Sequence, residues 1–302
     1  MLQEYISLFR RNFPFIVREE ATVRSILENK ECKIIEKRDG GNVLIGAAVI
    51  HSKTLLMLCV DKAYRKQGMG SELLSEAEQM IKEAGYEDIT VGAGYDYLMP
   101  GVPTSKRYVD AVNERLYEEI DTTASDFFEK RGYSHSWDCN CFDMRFPLSE
   151  FSKEESRVGD TVDGICYRFA TEADKEKICA CVDDAYEEFT QYYRSEELYR
   201  GDGTQNPKVL IATDGEEVVG TLIVSLETEG EGLGSVGCTT VRPSYQGRHI
   251  GVNLVTIGTK YLKDAGMEEA YLGYTYSGLD HMYGYAGYKI CVYYMMAEKS
   301  LK

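Results

Sequence analysis

The chain has 302 residues, and because a single hydrophobic core rarely keeps growing beyond about 250 to 300 residues, we expect two domains of ordinary size. Hydrophobic residues make up 43% and charged residues 28%, a balance that excludes a disordered chain. The net charge of -16, from 34 Lys and Arg against 50 Asp and Glu, disfavours nucleic acid and anionic membranes as partners, since both present phosphate.

The cysteines and the N-terminus predict a soluble protein of the cytoplasm. The nine cysteines are odd in number and form no CxxC pair, the close pairs being Cys139/Cys141 and Cys179/Cys181, so we expect reduced thiols and no metal site. The first residues, Met-Leu-Gln-Glu-Tyr, lack the basic and apolar runs of a signal peptide, and no stretch of about 18 apolar residues predicts a membrane span. We expect a monomer or a homodimer.

The first half of the chain predicts a hairpin followed by a strand. Cys32 to Glu36 and Leu44 to Ile50 flank Asp39-Gly40-Gly41, which is a hairpin turn signal. Leu55 to Val60 then predicts a buried strand. Before the hairpin, Tyr5 to Arg10 leads into what looks like a helix, and no strand precedes it. We therefore expect the first sheet to be one strand short, with an edge that the other half or another chain must cover.

An insertion and a linker follow. Tyr97-Leu-Met-Pro-Gly-Val-Pro-Thr contains two prolines around a glycine, which break regular structure and predict an inserted loop near residues 97–120. Such a loop serves either as a substrate lid or as packing between the halves. The polar, aperiodic stretch from Ser149 to Gly164 predicts a linker, which places the domains at residues 1–150 and 164–302.

The second half predicts a similar series of elements. Ile165 to Phe169 reads as a strand, and Thr171 to Asp174 as a capped helix start. Lys208 to Thr213 and Val218 to Leu226 are β-branched runs separated by Asp214-Gly215, a second hairpin signal. Each half is therefore a mixed α/β unit.

An internal repeat relates the two halves. Val60 to Gly85 aligns with Val241 to Gly266 without a gap, at an offset of 181 residues. In both segments the apolar residues follow the spacing of one helix face. They are Leu73, Leu74, Ala77, Met80 and Ile81 in the first copy, and Leu254, Val255, Gly258, Tyr261 and Leu262 in the second. Two copies of one fold are therefore the working hypothesis.

In each copy a strand runs through a short loop with glycines directly into this helix. Such a loop leaves backbone N–H groups unpaired at the positive end of the helix dipole, where phosphate binds well. A P-loop would need GxxxxGK[ST], which is absent, and a dinucleotide fingerprint would need a third glycine where Leu73 stands.

The first loop, Arg65-Lys-Gln-Gly68-Met-Gly70, resembles the R/Q-x-x-G-x-G/A signature of the GNAT acetyltransferases, whose loop binds the pyrophosphate of acetyl-CoA. The hairpin, the signature helix and the terminal Gly-Tyr strand recur in family order. Ile165 to Asp174 also resembles a GNAT opening. The resemblance covers nearly the whole chain as a tandem pair.

The resemblance implies an α/β protein made of two tandem GNAT folds, each with a mixed, splayed central sheet flanked by helices. Acetyl-CoA would lie between the splayed fourth and fifth strands, and a primary amine would attack its thioester, aided by a base, an acid and a backbone N–H. The residues implied to bind acetyl-CoA are Leu58, Val60, Arg65, Lys66, Gln67, Gly68, Met69, Gly70, Ser71, Thr239, Val241, Gln246, Gly247, Arg248, His249, Ile250 and Gly251.

The two copies depart from the family in opposite ways. The family usually has a tyrosine five residues before the final aromatic, where it protonates the departing thiolate; that position is Phe128 in the first copy and Tyr283 in the second. Tyr283 is thus the implied catalytic acid, although its tyrosine-rich surroundings also fit a core or pocket-wall role. In the second loop His249 stands where Gly68 stands in the first, and its side chain either crowds the pyrophosphate or adds a hydrogen bond.

No residue stands out as the general base. Asp96, Glu227 and Glu229 lie near strand ends that would face the cleft, yet each also reads as a solvated carboxylate. Lys66 and Arg248 read either as phosphate contacts or as solvated loop charges. The remaining histidines have no spacing that indicates a metal site or a triad: His51, His135 and His281.

Two functions remain open on sequence grounds. The first is an N-acetyltransferase that moves an acetyl group from acetyl-CoA to a primary amine of a small, cationic molecule. The second is a non-catalytic acyl-CoA-binding or structural protein. Tyr283 together with an intact first loop favours catalysis, and the acidic surface favours a cationic acceptor.

Overall fold

The computed structural model describes residues 2–93, 97–118, 120–199, 205–228 and 230–302. The α-helices are α1 (Leu2–Asn12), α2 (Glu20–Glu28), α3 (Met69–Glu83), α4 (Ala124–Glu129), α5 (Lys175–Tyr186), α6 (Thr190–Tyr193), α7 (Ile250–Asp264) and α8 (Leu279–Ala286). The strands are β1 (Lys33–Arg38), β2 (Leu44–His51), β3 (Thr54–Val60), β4 (Asp88–Val91), β5 (Val102–Thr104), β6 (Ser134–His135), β7 (Cys141–Pro147), β8 (Thr161–Val162), β9 (Ile165–Phe169), β10 (Lys208–Asp214), β11 (Glu217–Ser225), β12 (Leu233–Val241), β13 (Glu269–Tyr276), β14 (Lys289–Met295) and β15 (Ala297–Ser300).

The chain forms two compact units, and each draws on several segments of the sequence. Unit 1 contains Met1–Asp110, Leu116–Phe142 and Val292–Lys302; unit 2 contains Ala111–Arg115 and Asp143–Cys291. The last strand of the chain, β15, thus belongs to unit 1, while most of β7 belongs to unit 2. Sequence patterning did not reveal this arrangement, because an apolar strand can be recognised from its residues without identifying the sheet that it joins.

Unit 1 is built on a mixed sheet of order β1-β2-β3-β4-β15-β6. Its first three strands are antiparallel, β3 and β4 are parallel, and β15 pairs antiparallel with both β4 and β6. Among the described residues no strand precedes β1, which lies at the edge of this sheet. Helices α1 and α3 pack against the sheet.

Unit 2 contains the strand order β7-β13-β12-β11-β10-β9-β8, with the first three residues of β14 next to β7. Strands β9 to β12 pair antiparallel, whereas β12 and β13 are parallel. Helices α5 and α7 pack against β11 and β12, and α8 packs against α7. Both units therefore confirm the predicted mixed α/β architecture, with open sheets flanked by helices.

The helix that follows the glycine loop packs its predicted apolar face in each unit. Leu73, Leu74, Ala77 and Ile81 are buried in α3, with Met80 half-buried. In α7 the four counterparts Leu254, Val255, Gly258 and Leu262 are buried, and Tyr261 is half-buried. Gly258 is required by close packing, since a Cβ there would lie 2.7 Å from Leu222 Cδ2 of β11.

The helix start predicted at Thr171 is also confirmed. Thr171 and Asp174 form a capping box, in which the Asp174 carboxylate accepts the Thr171 N–H at 2.8 Å. The same carboxylate pairs with Arg168 at 2.8 Å, which with these hydrogen bonds holds the pKa of Asp174 well below its ordinary value. Within the described residues no helix is long and apolar enough to cross a membrane, and no cluster of His, Cys, Asp or Glu could hold a metal ion.

Candidate active site

The central strands of unit 2 separate to form a cleft. Strands β12 and β13 pair only from Leu233/Glu269 to Ser235/Tyr271. Beyond that pair β12 continues to Val241 and β13 to Tyr276, so their backbones diverge while both remain extended. The face of the sheet is also open at Gly237, since no described atom lies within 4 Å of the place where a Cβ on this residue would stand.

A bulge on β12 lies inside this cleft. The pairing between β11 and β12 shifts register between Thr221 and Ile223, and Cys238 in the bulge has a φ of 50°. A left-handed backbone at a non-glycine residue costs on the order of 1 to 3 kcal/mol and persists only where neighbours fix it. The Tyr193 hydroxyl supplies one such contact, donating to the Cys238 carbonyl at 2.6 Å.

Cys238 itself is not suited to act as a nucleophile. Burial raises the pKa of its thiol to about 11, so the thiol stays protonated at neutral pH.

Tyr283, the predicted acid, lies beside the bulge. It projects from α8, is 4% exposed, and its hydroxyl is 3.1 Å from the Thr239 Oγ1. Its ring packs edge-on against Tyr288, with ring centroids 5.8 Å apart. Burial holds the pKa of Tyr283 well above its ordinary value, so the phenol carries its proton at any physiological pH.

The opposite arm of the cleft contains a second strained residue. Tyr274 of β13 has a φ of 55°, and its N–H donates to Asp143 Oδ1 at 2.8 Å. Asp143 is 1% exposed and also accepts the Tyr271 hydroxyl at 3.1 Å. Sequence reasoning missed Asp143, Tyr193 and Tyr274. The available signal for Asp143 was a carboxylate in the middle of β7, a strand whose only other charged residue is Arg145.

The two glycine loops share one backbone conformation. Lys66 and Gly68 have φ values of 61° and 93°, and their counterparts Gly247 and His249 have 78° and 59°. Each loop thus has two left-handed residues with glycine at one of them, so His249 occupies the place of Gly68 without changing the turn. No side chain caps the N-terminus of α3 or α7 in the described structure. Both helix ends are therefore open to an anion.

The side chains of the first loop contact protein groups. Arg65 donates to the Val60 carbonyl at 2.8 Å, to Asp121 at 2.8 Å and to Asn12 at 3.0 Å. A Cβ on Gly70 would lie 3.5 Å from the Phe127 ring, and Arg131 donates to the Ser71 hydroxyl at 2.6 Å. Lys66 is exposed. The predicted role of Arg65 in acetyl-CoA binding would therefore compete with its present contacts.

The second loop is arranged similarly, with fewer contacts to its side chains. Gln246 donates to the Val241 carbonyl at 3.3 Å, and the Arg248 guanidinium lies 5.1 Å from the Tyr245 ring centroid. His249 is exposed. A Cβ on Gly251 would lie 2.9 Å from the Met282 sulfur of α8, so this helix position accepts only glycine without movement.

The first copy lacks the polar groups of the second. Phe128 is 5% exposed and packs edge-on against Phe127 and Tyr133. Leu58 stands at the position of Thr239, and no residue of β3 has a positive φ. Strand β3 also shifts register, opposite Val49 and Ile50 of β2, but at these positions unit 1 offers no counterpart of the tyrosine, the threonine or the left-handed residue.

None of the candidate carboxylates or remaining histidines is shown to lie near the Tyr283 hydroxyl. Asp96 and Glu229 lie outside the described residues. Glu227 is exposed, and it follows the end of β11 that pairs with the start of β12, at the opposite end of β12 from Thr239. His51 contacts Glu31 at 3.2 Å, and His281 is exposed. The general base stays unassigned.

Part of the predicted insertion packs on α8. The Val112 N–H donates to the buried carboxylate of Asp280 at 3.0 Å, and the Asn113 carbonyl accepts the Ile290 N–H at 2.7 Å. A Cβ on Gly284 would lie 2.0 Å from Asn113 Nδ2, so glycine is needed for this approach. Residues 111–115 thus support the helix that holds Tyr283, which is a packing role.

His135 has a structural role in unit 1 that makes stability depend on pH. Its Nδ1 accepts the Met296 N–H at 2.9 Å, its Nε2 contacts the Cys139 carbonyl at 2.8 Å, and its ring stacks on Tyr108. Burial lowers the pKa of His135 below its ordinary value of 6.5, so the folded chain keeps the ring neutral where the unfolded chain binds a proton. The stability that this ring provides is present above about pH 6.5 and falls as the pH drops below it.

We therefore expect the wild type to lose more free energy of unfolding than His135→Asn when the pH falls from about 7.5 to about 5.5. Urea denaturation of both proteins at the two pH values measures this difference. Equal losses would assign the acid sensitivity to other groups.

Comparison with known proteins gives the same family for both halves. The acetyltransferase (GNAT) family model matches residues 175–285, and an acetyltransferase (GNAT) domain model matches residues 4–96. No match to the sequence was found among curated proteins.

Solved structures with a similar fold include three that span nearly the whole chain. The GCN5-related glucosamine N-acetyltransferase region of a fungal multi-domain GH3 beta-N-acetylglucosaminidase aligns with 98% of this chain at 20% identity and a TM-score of 0.71; this chain spans 36% of that protein. A GCN5-related N-acetyltransferase from Sphaerobacter thermophilus aligns over 94% of this chain and 85% of its own, at 18% identity and a TM-score of 0.64. A tandem GNAT protein from the clavulanic acid biosynthesis pathway aligns over 100% and 95%, at 14% identity and a TM-score of 0.64. At these identities the likeness is one of fold.

Proposed function

Because the chain belongs to the GNAT acetyltransferase family, with one such domain in each half, we propose that it is an acetyl-CoA-dependent N-acetyltransferase whose reaction takes place in the cleft of unit 2. One observation carries the choice of cleft: the Tyr283 hydroxyl lies 3.1 Å from Thr239 Oγ1, next to the bulge at Cys238. Unit 1 has Phe128 and Leu58 at the equivalent positions, neither of which can donate a proton.

The cleft and loop of unit 2 fit acetyl-CoA as a substrate. The extended part of β12 beyond Ser235 is free of β13, which leaves an edge along which a pantetheine arm can lie like a strand. At the end of β12, the loop from Gln246 to Gly251 opens onto α7, whose uncapped N-terminus suits a pyrophosphate. No described atom lies within 4 Å of a Cβ built on Gly247, so a phosphate group can approach the backbone there.

The groups that line the cleft have separate roles in acetyl transfer. Acetyl-CoA supplies the thioester carbon that the amine nitrogen attacks and the thiolate that leaves. Backbone N–H groups of the β12 bulge donate to the thioester oxygen as negative charge develops on it. Tyr283 gives its proton to the sulfur as the C–N bond forms and the C–S bond breaks. The ammonium loses one proton to solvent before it attacks, which frees the nitrogen lone pair, and the nitrogen loses a second proton as the amide forms. Thr239, in hydrogen-bond range of Tyr283, relays one proton back to the phenolate, so that the net products are the amide, the CoA thiol and one proton.

The acceptor is a small molecule with a cationic amine. The segment from Glu172 to Tyr199 contains α5 and α6, and its acidic residues outnumber its basic ones by nine to three. Tyr193 of this segment donates to the carbonyl of the β12 bulge, so the segment borders the cleft. An acidic border raises the local concentration of ammonium compounds and repels anions.

A screen of primary amines tests the proposed function. Purified full-length protein is incubated with acetyl-CoA and each amine, and release of the CoA thiol is followed together with the acetylated product. Glucosamine is included because one structural neighbour is a glucosamine N-acetyltransferase region, and spermidine is included as a polycation. We expect amine-dependent release for at least one cationic acceptor. Acetyl-CoA binding without turnover of any amine would support a non-catalytic acyl-CoA-binding protein instead.

A second prediction identifies which loop binds acetyl-CoA. Gly68→Glu and Gly247→Glu each place bulk and negative charge at an anion site. A ligand at about 100 times its Kd stabilises the folded state by about 2.7 kcal/mol, which appears as a rise in Tm. We expect Gly247→Glu to abolish most of the rise in Tm that acetyl-CoA causes. Gly68→Glu should reduce only the part of this rise that comes from acetyl-CoA bound at the first loop.

The two variants are matched, since both replace a left-handed glycine in an exposed loop. If both keep the full wild-type rise in Tm, neither loop is a principal site. If only Gly68→Glu loses the rise, acetyl-CoA binds unit 1, and the assignment of the reaction to unit 2 fails.

A further inference from the structure

The two strands that border the cleft, β12 and β13, form its two arms. Each arm has one residue with a left-handed backbone, at the same distance from the end of the strand pairing. Cys238 on β12 and Tyr274 on β13 each lie three residues beyond the last paired residues, Ser235 and Tyr271. Each is held by a side chain from another element: the Tyr193 hydroxyl binds the Cys238 carbonyl, and the Asp143 carboxylate binds the Tyr274 N–H. The arm that holds Tyr274 has no role in the mechanism above.

The contact with Asp143 determines how the adjacent peptide is turned. Asp143 lies on β7, which flanks β13 on the side away from β12. A trans peptide directs its N–H and its C=O to opposite sides. Because the Tyr274 N–H donates to Asp143 Oδ1 at 2.8 Å, the Gly273 carbonyl of the same peptide is expected to face away from Asp143, towards the β12 side of the cleft.

The packing around this peptide leaves it little freedom. Asp143 is 1% exposed and accepts the Tyr271 hydroxyl at 3.1 Å as well as the Tyr274 N–H. A Cβ on Gly273 would lie 2.6 Å from that hydroxyl, so a side chain there would displace Tyr271 from the carboxylate. The absence of a side chain at Gly273 is therefore needed for the contact between Tyr271 and Asp143.

The first copy provides an internal comparison. Ala93 is the counterpart of Tyr274, has a φ of 54°, and donates its N–H to the Met99 carbonyl at 2.7 Å. The turn thus recurs in both copies, while the acceptor differs: a backbone carbonyl in unit 1 and a buried carboxylate in unit 2. The carboxylate occurs in the copy that also has Tyr283 and Thr239.

We propose that Asp143 is a positioning residue for the acceptor: it holds the Tyr274 peptide so that the Gly273 carbonyl accepts a hydrogen bond from the N–H of the incoming primary amine. This inference rests on the proposed function for its substrate. It adds a contact for the amine on the β13 arm, opposite the β12 arm on which the acetyl donor is placed.

A pair of substitutions at residue 274 tests the turn without opening a cavity at Asp143. Tyr274→Gly and Tyr274→Pro both remove the ring; glycine keeps the left-handed backbone and the N–H, whereas proline forbids both. We expect the KM for the amine, with glucosamine and spermidine as probes, to be about 10-fold higher in Tyr274→Pro than in Tyr274→Gly. The KM for acetyl-CoA should agree between them within about 2-fold. Equal amine KM values, or a parallel rise in both KM values, would overturn the proposal.

Substitution of Asp143 tests the same role from the other partner. Asp143→Ala should raise the amine KM about 10-fold in the wild-type background. In the Tyr274→Gly background it should raise the amine KM less than about 3-fold, because glycine adopts the left-handed backbone without help from Asp143. Tyr271→Phe removes only the second hydrogen bond to Asp143 and should leave the amine KM unchanged. An effect of Asp143→Ala that is the same in both backgrounds would mean a general structural role.

A crystallographic readout separates this inference from the proposed function. In Asp143→Ala, or in Tyr274→Pro if the alanine variant does not fold, the Gly273 carbonyl should turn away from the cleft. A carbonyl that keeps its direction in both variants would overturn the positioning role, whether or not any amine is acetylated. Failure of the wild type to acetylate any amine would overturn the proposed function and leave the crystallographic result to decide the role of Asp143 in holding the peptide.

Discussion

Tyr283→Phe should lower kcat on the best amine by about 100-fold to 10,000-fold, the usual cost of losing a general acid. The substitution removes one hydroxyl and keeps the ring that packs against Tyr288. Acetyl-CoA binding should change little, because the proton is needed mainly in the transition state. The Thr239 hydroxyl loses one partner, so the free energy of unfolding should fall by only about 0.5 to 1.5 kcal/mol.

The measurements are steady-state kinetics, the rise in Tm with acetyl-CoA, and urea denaturation. Thr239→Val is a second variant, since it removes the hydroxyl next to Tyr283 while keeping a β-branched side chain on the strand. It should lower kcat less than Tyr283→Phe does, because the phenol can still donate its proton and solvent can return one to it in each turnover. If stability falls as steeply as activity, the tyrosine is a core residue and its catalytic role is not supported.

Phe128→Tyr is the matched control in the first copy. It restores the family's tyrosine, yet Leu58 stands where Thr239 would be, and no residue of β3 has the left-handed backbone of Cys238. We expect the double variant Tyr283→Phe/Phe128→Tyr to remain as inactive as Tyr283→Phe. Recovery of turnover in the double variant, or retention of most turnover in Tyr283→Phe, would move the reaction to unit 1.

The sequence predicted the features that arise from local chemistry. The repeat of glycine loop and helix, the apolar faces of α3 and α7, and the hairpins all follow from spacing and turn residues that act within about 20 residues of chain. Tyr283 was implied by its place before the terminal Gly-Tyr pair, and the structure puts it next to Thr239.

The features that sequence reasoning missed depend on contacts between distant residues. The left-handed conformation of Cys238 and Tyr274 has no local signal, because neither residue type favours it. It is held by Tyr193, 45 residues away from Cys238, and by Asp143, 131 residues away from Tyr274. Likewise, the residues of β7 do not identify the sheet that it joins, and β15 is a run of four residues, Ala297–Ser300, with only one apolar residue and no strand signal.

Because unit 1 includes Val292–Lys302, we expect that the first 150 residues will not fold alone. Strand β15 lies between β4 and β6, and its register pairs Ala297 with both Val91 and His135. The fragment lacks it, which leaves two unpaired sheet edges and removes Met295, Ala297 and Leu301 from the core cluster of unit 1, so that the apolar residues they cover are exposed.

Fragment 1–150 should therefore aggregate or unfold without a cooperative transition. A second fragment, in which residues 1–142 are joined to residues 292–302, should fold. The join can be short, since the rings of Phe142 and Tyr293 lie 6.0 Å apart between centroids, and a Gly/Ser linker of about 10 residues spans about 17 Å. A version with residues 292–302 in scrambled order keeps the length and composition and should fail to fold. Size-exclusion chromatography and urea denaturation monitored by circular dichroism compare the three fragments. A monomeric fragment 1–150 with cooperative unfolding would show that the sheet of unit 1 is stable without β15.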